Sequence, residues 1–419
     1  MRIPSVFNRR TGVLGLVAAT SVLLSACGGG DDSGSNSSNA PSCTAVVNAA
    51  QPNVAANAVA ISVGRGVANV INIPTVSVKV CAPGTSNCQT VDNVLVDTAS
   101  YGLRLVGSSV SGVLSSLPAT TTSGGAPIVE CGKFVSSYTW GSVRTVDMQV
   151  GSETASSLPV QIIGDLGTTN VPNSCTNGGT SANTAQDLGA NGILGIGPAP
   201  VDCGINCATS TSPAYNNYYA CPNGNSSCAV TVVPITQQVA NPVHRFATDN
   251  NGVIVQMQQV SSCGQSSATG LLTFGIGTQG NNALGASTVL TSSTTGDVSA
   301  TFLGNSATAF FDTGSNAYFF NDSSQTKCST NTQFYCPSSS TTYTATLTGK
   351  NGASGGVSMP VSNANSLFAN ASTFAFNDIA GPFGMSGWLD LGLPHFYGKT
   401  IYFGMDKTST GGQQPYVAF

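Results

Sequence analysis

The 419-residue chain carries 13 Lys and Arg against 17 Asp and Glu, a formal net charge of −4, and only 7% of its residues are charged. That balance leaves no basic field for nucleic acid, so no nucleic-acid partner is expected. The length allows a large core spread over two or three domains, and the abundance of Gly, Ser, Thr and Asn fits an exported all-β chain with many turns.

Residues 1–27 read as a targeting signal peptide. Arg2, Arg9 and Arg10 form a basic start, and Gly12 to Val22 is an apolar stretch too short to cross a bilayer as a mature helix. Leu24-Ser25-Ala26-Cys27 resembles a bacterial lipobox. The resemblance implies cleavage before Cys27 and attachment of lipid (palmitate and related acyl chains) to its thiol and new amino group. An ordinary signal peptide is the alternative. The expected location is the bacterial cell envelope, with the membrane reached through the lipid on Cys27. Gly28 points to the outer membrane, facing periplasm or surface, by resemblance to lipoprotein sorting rules. Residues 28–42 have almost no apolar side chains and form a flexible tether with a reach of roughly 20 Å.

Setting Cys27 aside, the 13 cysteines leave an even number, which in an exported chain reads as a disulfide framework. Cys81/Cys88, Cys221/Cys228 and Cys328/Cys336 are spaced as local loop staples. Cys43, Cys131, Cys175, Cys203, Cys207 and Cys263 have no pairing assigned by sequence. With only His244 and His395 in the chain, a Cys/His zinc site is not expected, and no other metal or cofactor is implied.

In chain order, Ile71 to Val80 alternates as a strand, Cys81 to Cys88 turns, and Gln89 to Val96 returns to deliver Asp97. Phe134 to Val150 reads as a second hairpin with Tyr138-Thr139-Trp140-Gly141-Ser142 at its tip. Residues 168–187 are loop-like, and Asn191 to Gly197 is an apolar run punctuated by glycines. Residues 198–230, rich in Cys, Asn, Ser and Tyr, read as a surface insertion held by disulfides. Gly275 to Gly280 spells G-x-G-x-x-G, but no helix-forming sequence follows, which excludes a dinucleotide site. Short strands over 301–303 and 307–311 lead to Asp312. Residues 341–347 alternate as a strand, Gly387 to Gly392 is a second apolar run closing on glycine, and 396–403 is a final strand. The order of Asp motif, strands and apolar-Gly run occurs twice, which implies two lobes on one plan: 43–278 and a shorter 279–419.

The repeated motif carries the chemistry. Val94-Leu95-Val96-Asp97-Thr98-Ala99-Ser100 and Ala309-Phe310-Phe311-Asp312-Thr313-Gly314-Ser315 are apolar strands that each run into Asp-Thr-small-Ser. Two carboxyls brought within hydrogen-bond reach cannot both ionise readily, so they share a proton and together act as acid and base on a water. A small residue after each threonine lets the loops approach. Thr98 and Thr313 are placed to lock one loop to the other, and Ser100 and Ser315 to orient the carboxyls.

From about Ile71 to Phe419 the chain resembles the pepsin-like, two-lobed aspartic peptidases. The match rests on both Asp loops, on Asn191 to Gly197, and on Leu391-Gly392 followed by 396–403. It also rests on Gly270 to Phe274 and on the hairpin with Tyr138 and Trp140, which stands where the family has its flap. The chain also resembles an uncharacterised family of bacterial lipoproteins. The first resemblance implies an all-β, pepsin-like β-barrel architecture with the cleft between lobes. It further implies catalytic Asp97 and Asp312, support from Thr98, Ser100, Thr313, Gly314 and Ser315, a peptide or protein substrate, and a monomer. Three departures stand out: Ala99 where the family has Gly, Arg104 where it has a flap-supporting Trp, and Leu393 where it commonly has Asp. Arg104 reads equally as a solvated surface residue or a site residue. Fold does not fix activity, so a non-catalytic lipoprotein holding a ligand in the same cleft is the competing reading.

Overall fold

The computed structural model describes Val46, residues 54–135 and residues 137–419; the expected signal peptide and tether, with Cys27 and Cys43, lie outside the described residues. The architecture is all-β, and its α-helices are single turns of four or five residues.

Alternation builds the first hairpin. In Pro74–Cys81, Val76, Val78 and Val80 are buried while Ser77 and Lys79 face outward. Cys81 sits opposite Cys88 and the two are disulfide-bonded. The return strand, Cys88–Asp97, ends in four buried residues from Val94 to Asp97. Burial on both faces suits a strand running parallel to a neighbour inside a sheet. That neighbour is Gly192–Ile196, which sets Gly195 opposite Asp97 and then pairs antiparallel with Tyr101–Val106. The Asp97 loop is thus straddled by one strand. A Cβ at Gly195 would lie 2.8 Å from Ser100 Oγ and from the Tyr101 amide nitrogen, so only glycine permits this approach.

The second half repeats this topology in a separate 7-stranded sheet. Val298–Phe302 and Asn305–Asp312 form the hairpin. Trp388–Gly392 runs parallel to the latter, with Gly392 opposite Asp312, and its Asp390 stands antiparallel opposite Phe319.

The 16-stranded sheet is not confined to the first half. Thr400–Gly404 pairs with Gly252–Met257, and Tyr416–Ala418 pairs with both Thr400–Gly404 and Val289–Thr291. The expected division after residue 278 therefore falls within a sheet that both halves build. The expected strand over 396–403 starts only at Thr400, because a 3-10 turn at Leu393–His395 and Gly398 at φ 74° interrupt it. One apolar core runs through both halves, from Val94, Val96 and Leu194 to Phe311, Leu391 and Phe403. Each such buried side chain contributes about 1.5–3 kcal/mol.

Cys221–Cys228 and Cys328–Cys336 close loops as their spacing suggested. Cys131–Cys175 and Cys203–Cys207 add two more links, and Cys263 is also disulfide-bonded. Residues 198–230 are more than a surface insertion. Tyr218–Ala220 adds a strand to Ile128–Lys133, which satisfies that strand's edge and buries Tyr218 and Tyr219.

Candidate active site

Each aspartate ends a buried strand, and the two loops that follow are hydrogen-bonded to one another. Thr98 Oγ1 donates to the Phe311 carbonyl at 2.9 Å and accepts from the Thr313 amide at 3.0 Å. Thr313 Oγ1 mirrors it, donating to the Val96 carbonyl at 2.6 Å and accepting from the Thr98 amide at 3.2 Å. Both threonines are buried, so these bonds operate in a low dielectric and fix the loop spacing. Within each loop the backbone repeats: the Ala99 amide donates to Asp97 Oδ1 at 2.9 Å, and the Gly314 amide to Asp312 Oδ1 at 2.7 Å. Ser100 Oγ donates to Asp97 Oδ2, and Ser315 Oγ lies 2.7 Å from Asp312 Oδ2.

Asp97 and Asp312 are fully buried and lie within side-chain hydrogen-bond reach of one another. Burial raises both above the ordinary carboxyl range. For Asp97 the Ser100 hydroxyl, the Ala99 amide, the bond from Asp312 and the charge of Arg104 pull the other way. For Asp312 the charges of Asp97 and Asp390 add to the burial, and Ser315 offsets only part. Both carboxyls are pushed up, within a titration that belongs to the pair.

Asp390 escaped the sequence reading. Its Oδ2 lies 2.6 Å from Ser315 Oγ, and it too is fully buried. A lone carboxylate inside the apolar run Trp388-Leu389-Asp390-Leu391 was the available signal. Apolar residues at this depth would need no partner, whereas a buried acid does.

Gly314 is set by space rather than by backbone angle, since its φ is not positive. A Cβ there would sit 3.0 Å from Asp97 Cγ and Oδ1. Ala99 tolerates its methyl. It packs in an apolar cluster with Ile71, Phe310 and Phe383, and it lines a cavity of about 90 Å³ shared with Tyr101 and Phe311.

Tyr138 and Trp140 do not form a hairpin tip. The hairpin runs from Ile128–Lys133 to Ser137–Val150, with Lys133 opposite Tyr138, so Phe134 and Val135 fall in the turn. The alternation over 137–150 belongs to one long strand, which the expected tip at 138–142 had cut in two. Tyr138 and Trp140 pack with Cys131, Cys175 and Tyr219, on the side of residues 198–230. Val135 instead packs against the cluster that holds Ala99 and Phe310.

A family profile described as "Protein of unknown function (DUF3443)" matches residues 53–419. The chain belongs to this family. No curated protein matches the DUF3443 chain. Among solved structures, it is similar to the aspartic proteinase from Irpex lacteus at 15% identity, with a TM-score of 0.44, over 86% of this chain and 97% of that one.

Arg104 of the DUF3443 chain is no surface residue. It is fully buried, 2.5 Å from Glu130 Oε1 and 3.8 Å from Asp202 Oδ2, and it donates to the Tyr101 carbonyl at 2.9 Å. Burial opposes its charge, but Glu130 and Asp202 outweigh that and hold it protonated. Asp202 is pushed well above the usual range, by burial first and then by Glu130, and it accepts from the Tyr218 hydroxyl at 2.5 Å. Arg104 thus ties the strand after the Asp97 loop to the hairpin strand Ile128–Lys133 and to residues 198–230.

Proposed function

We propose that this chain is an aspartic endopeptidase of the bacterial cell envelope, acting on peptide or protein substrates. The observation that carries the reading is the interlock of the two threonine-bonded loops, which brings the buried Asp97 and Asp312 within hydrogen-bond reach. In this scheme a water bound between the carboxyls attacks the scissile carbonyl carbon. Asp97 takes the water's proton while Asp312 protonates the carbonyl oxygen, which gives a neutral diol. The C–N bond then breaks, the proton on Asp97 passes to the departing nitrogen, and a diol hydroxyl returns its proton to Asp312. The pair ends as it began. No metal or organic cofactor takes part in this scheme.

Both carboxyls are buried, so a peptide reaches them only when the groups covering them move aside. That burial also favours a second reading, a non-catalytic lipoprotein that holds a peptide or envelope component in the same cleft. One experiment separates them. Purified protein is incubated with a peptide library across acid and neutral pH, with and without pepstatin, beside Asp97→Asn. Cleavage that pepstatin blocks and the variant lacks supports the peptidase. A wild-type chain that binds peptides and cuts none at any pH sinks it.

The lipobox-like Leu24 to Cys27 supports anchoring through Cys27, with the folded body acting as a monomer beyond the tether. Incorporation of a palmitate analogue in cells, lost in Cys27→Ser, is the expected result.

A further inference from the structure

Three contacts run in a row from Asp97 to Asp390. Asp97 and Asp312 lie within hydrogen-bond reach of one another, and Ser315 Oγ stands 2.7 Å from Asp312 Oδ2 and 2.6 Å from Asp390 Oδ2. All four residues are fully buried. At such separations an oxygen–oxygen contact holds a proton, because otherwise two lone pairs would face each other in a low dielectric. Each contact therefore needs its own hydrogen. Ser315 has one hydroxyl hydrogen to give, so the carboxyls supply the other two. The three acids together then carry one negative charge, the smallest buried charge compatible with a working acid–base pair.

We propose that Asp390 is a positioning residue that holds, through Ser315, a second proton behind Asp312. The proposal rests on the two-aspartate reading above and adds a regulator of its pH range. In the arrangement that leaves Asp97 ionised, Asp390 donates to Ser315, Ser315 donates to Asp312 Oδ2, and Asp312 donates to Asp97. If each proton moves one step along the row, the arrangement reverses: Asp97 donates to Asp312, Asp312 to Ser315 and Ser315 to Asp390, which then carries the charge.

Asp390 stands opposite Phe310 on one neighbouring strand and Phe319 on the other. Tyr318 and His395 on the adjoining elements are kept uncharged, chiefly by burial, with Asp378 facing Tyr318 and Lys399 facing His395. Asp97 and Asp390 are the charges that act on Asp312, and Arg104 reaches the pair from the Asp97 side.

The test follows the aspartate side-chain carbons of the wild-type chain by 13C NMR against pH, which needs no substitution. Near neutral pH two of the three carboxyls are expected in the protonated form. Finding two or three ionised there overturns the proposal, whatever the activity. The second arm is Asp390→Asn, whose amide donates to Ser315 as a protonated acid does and so preserves the packing. In the wild type Asp390 gives up its proton as pH rises and its charge then holds Asp312 protonated; the variant never gains that charge, so the alkaline limb of peptide cleavage is expected to move down by about one pH unit. An unmoved limb, with the rate at the optimum intact, also overturns it. If the wild-type chain cuts nothing, the peptidase reading fails and the NMR proton count alone decides the role of Asp390.

Discussion

Asp97 has Arg104 on its side of the site, and Asp312 has Asp390 behind it. The loops are otherwise copies: the same threonine exchange, the same amide to Oδ1, the same serine at Oδ2. A duplicated backbone would leave the two acids equivalent. The cation on one flank and a third acid on the other make their surroundings unequal, and the proposed division into base and acid rests on that difference. The contrast extends outward. Arg104, the only fully buried arginine or lysine among the described residues, lies in the first half, which also buries Asp97, Glu130, Glu153 and Asp249, against Asp312, Asp378 and Asp390 in the second.

The largest effect is expected where the contrast is erased at the carboxyls themselves. Asp97→Asn and Asp312→Asn each lose roughly 10²- to 10⁴-fold in peptide cleavage, read as kcat/KM, because each removes one half of the acid–base pair. A variant that keeps full activity would show that the two do not work together. Next comes the cation. Arg104→Met leaves Glu130 buried without its partner and is expected to cost about 3–5 kcal/mol by denaturant unfolding. It also removes a charge that lowers Asp97, so the acid limb of cleavage moves to higher pH.

A smaller effect tests the second half. Burial lifts Asp378 from the ordinary 3.8 to about 6. A carboxyl raised in the fold supports stability below its ordinary value and loses that support as pH rises through the folded value. The chain should therefore weaken by about 2–3 kcal/mol between pH ~4 and ~6 on this account, and Asp378→Asn should flatten that slope in thermal melts. The last comparison is steric. Gly314→Ala pushes a methyl against Asp97 and is expected to cost about 1–3 kcal/mol and to depress activity. Ala99→Gly costs under about 1 kcal/mol, from backbone freedom, and leaves cleavage nearly unchanged.

Much of the frame was readable because it is local. The hairpin into Asp97 follows from alternation, and Cys81/Cys88, Cys221/Cys228 and Cys328/Cys336 from short spacing. The meeting of the Asp loops was readable because one grammar occurs twice. What escaped depends on distant chain. The burial of Arg104 is set by Glu130 and Asp202, which arrive from other elements. The hairpin turns after Lys133, at Phe134 and Val135, because of register, with Lys133 opposite Tyr138, and one long alternating strand hides where its turn begins. Asp390 faces inward because Ser315 receives it, a contact spanning 75 residues. The shared sheet was missed because its last strands come from the far end of the sequence.

That returning tail has a consequence for the order of events during synthesis. Gly252–Met257 waits for Thr400–Gly404, and Val289–Thr291 for Tyr416–Ala418, before their outer backbone groups find partners. Such late, long-range pairing is slow and exposes unpaired edges. The first half therefore emerges from the ribosome with an unfinished edge, which closes only once Thr400–Gly404 and Tyr416–Ala418 have followed.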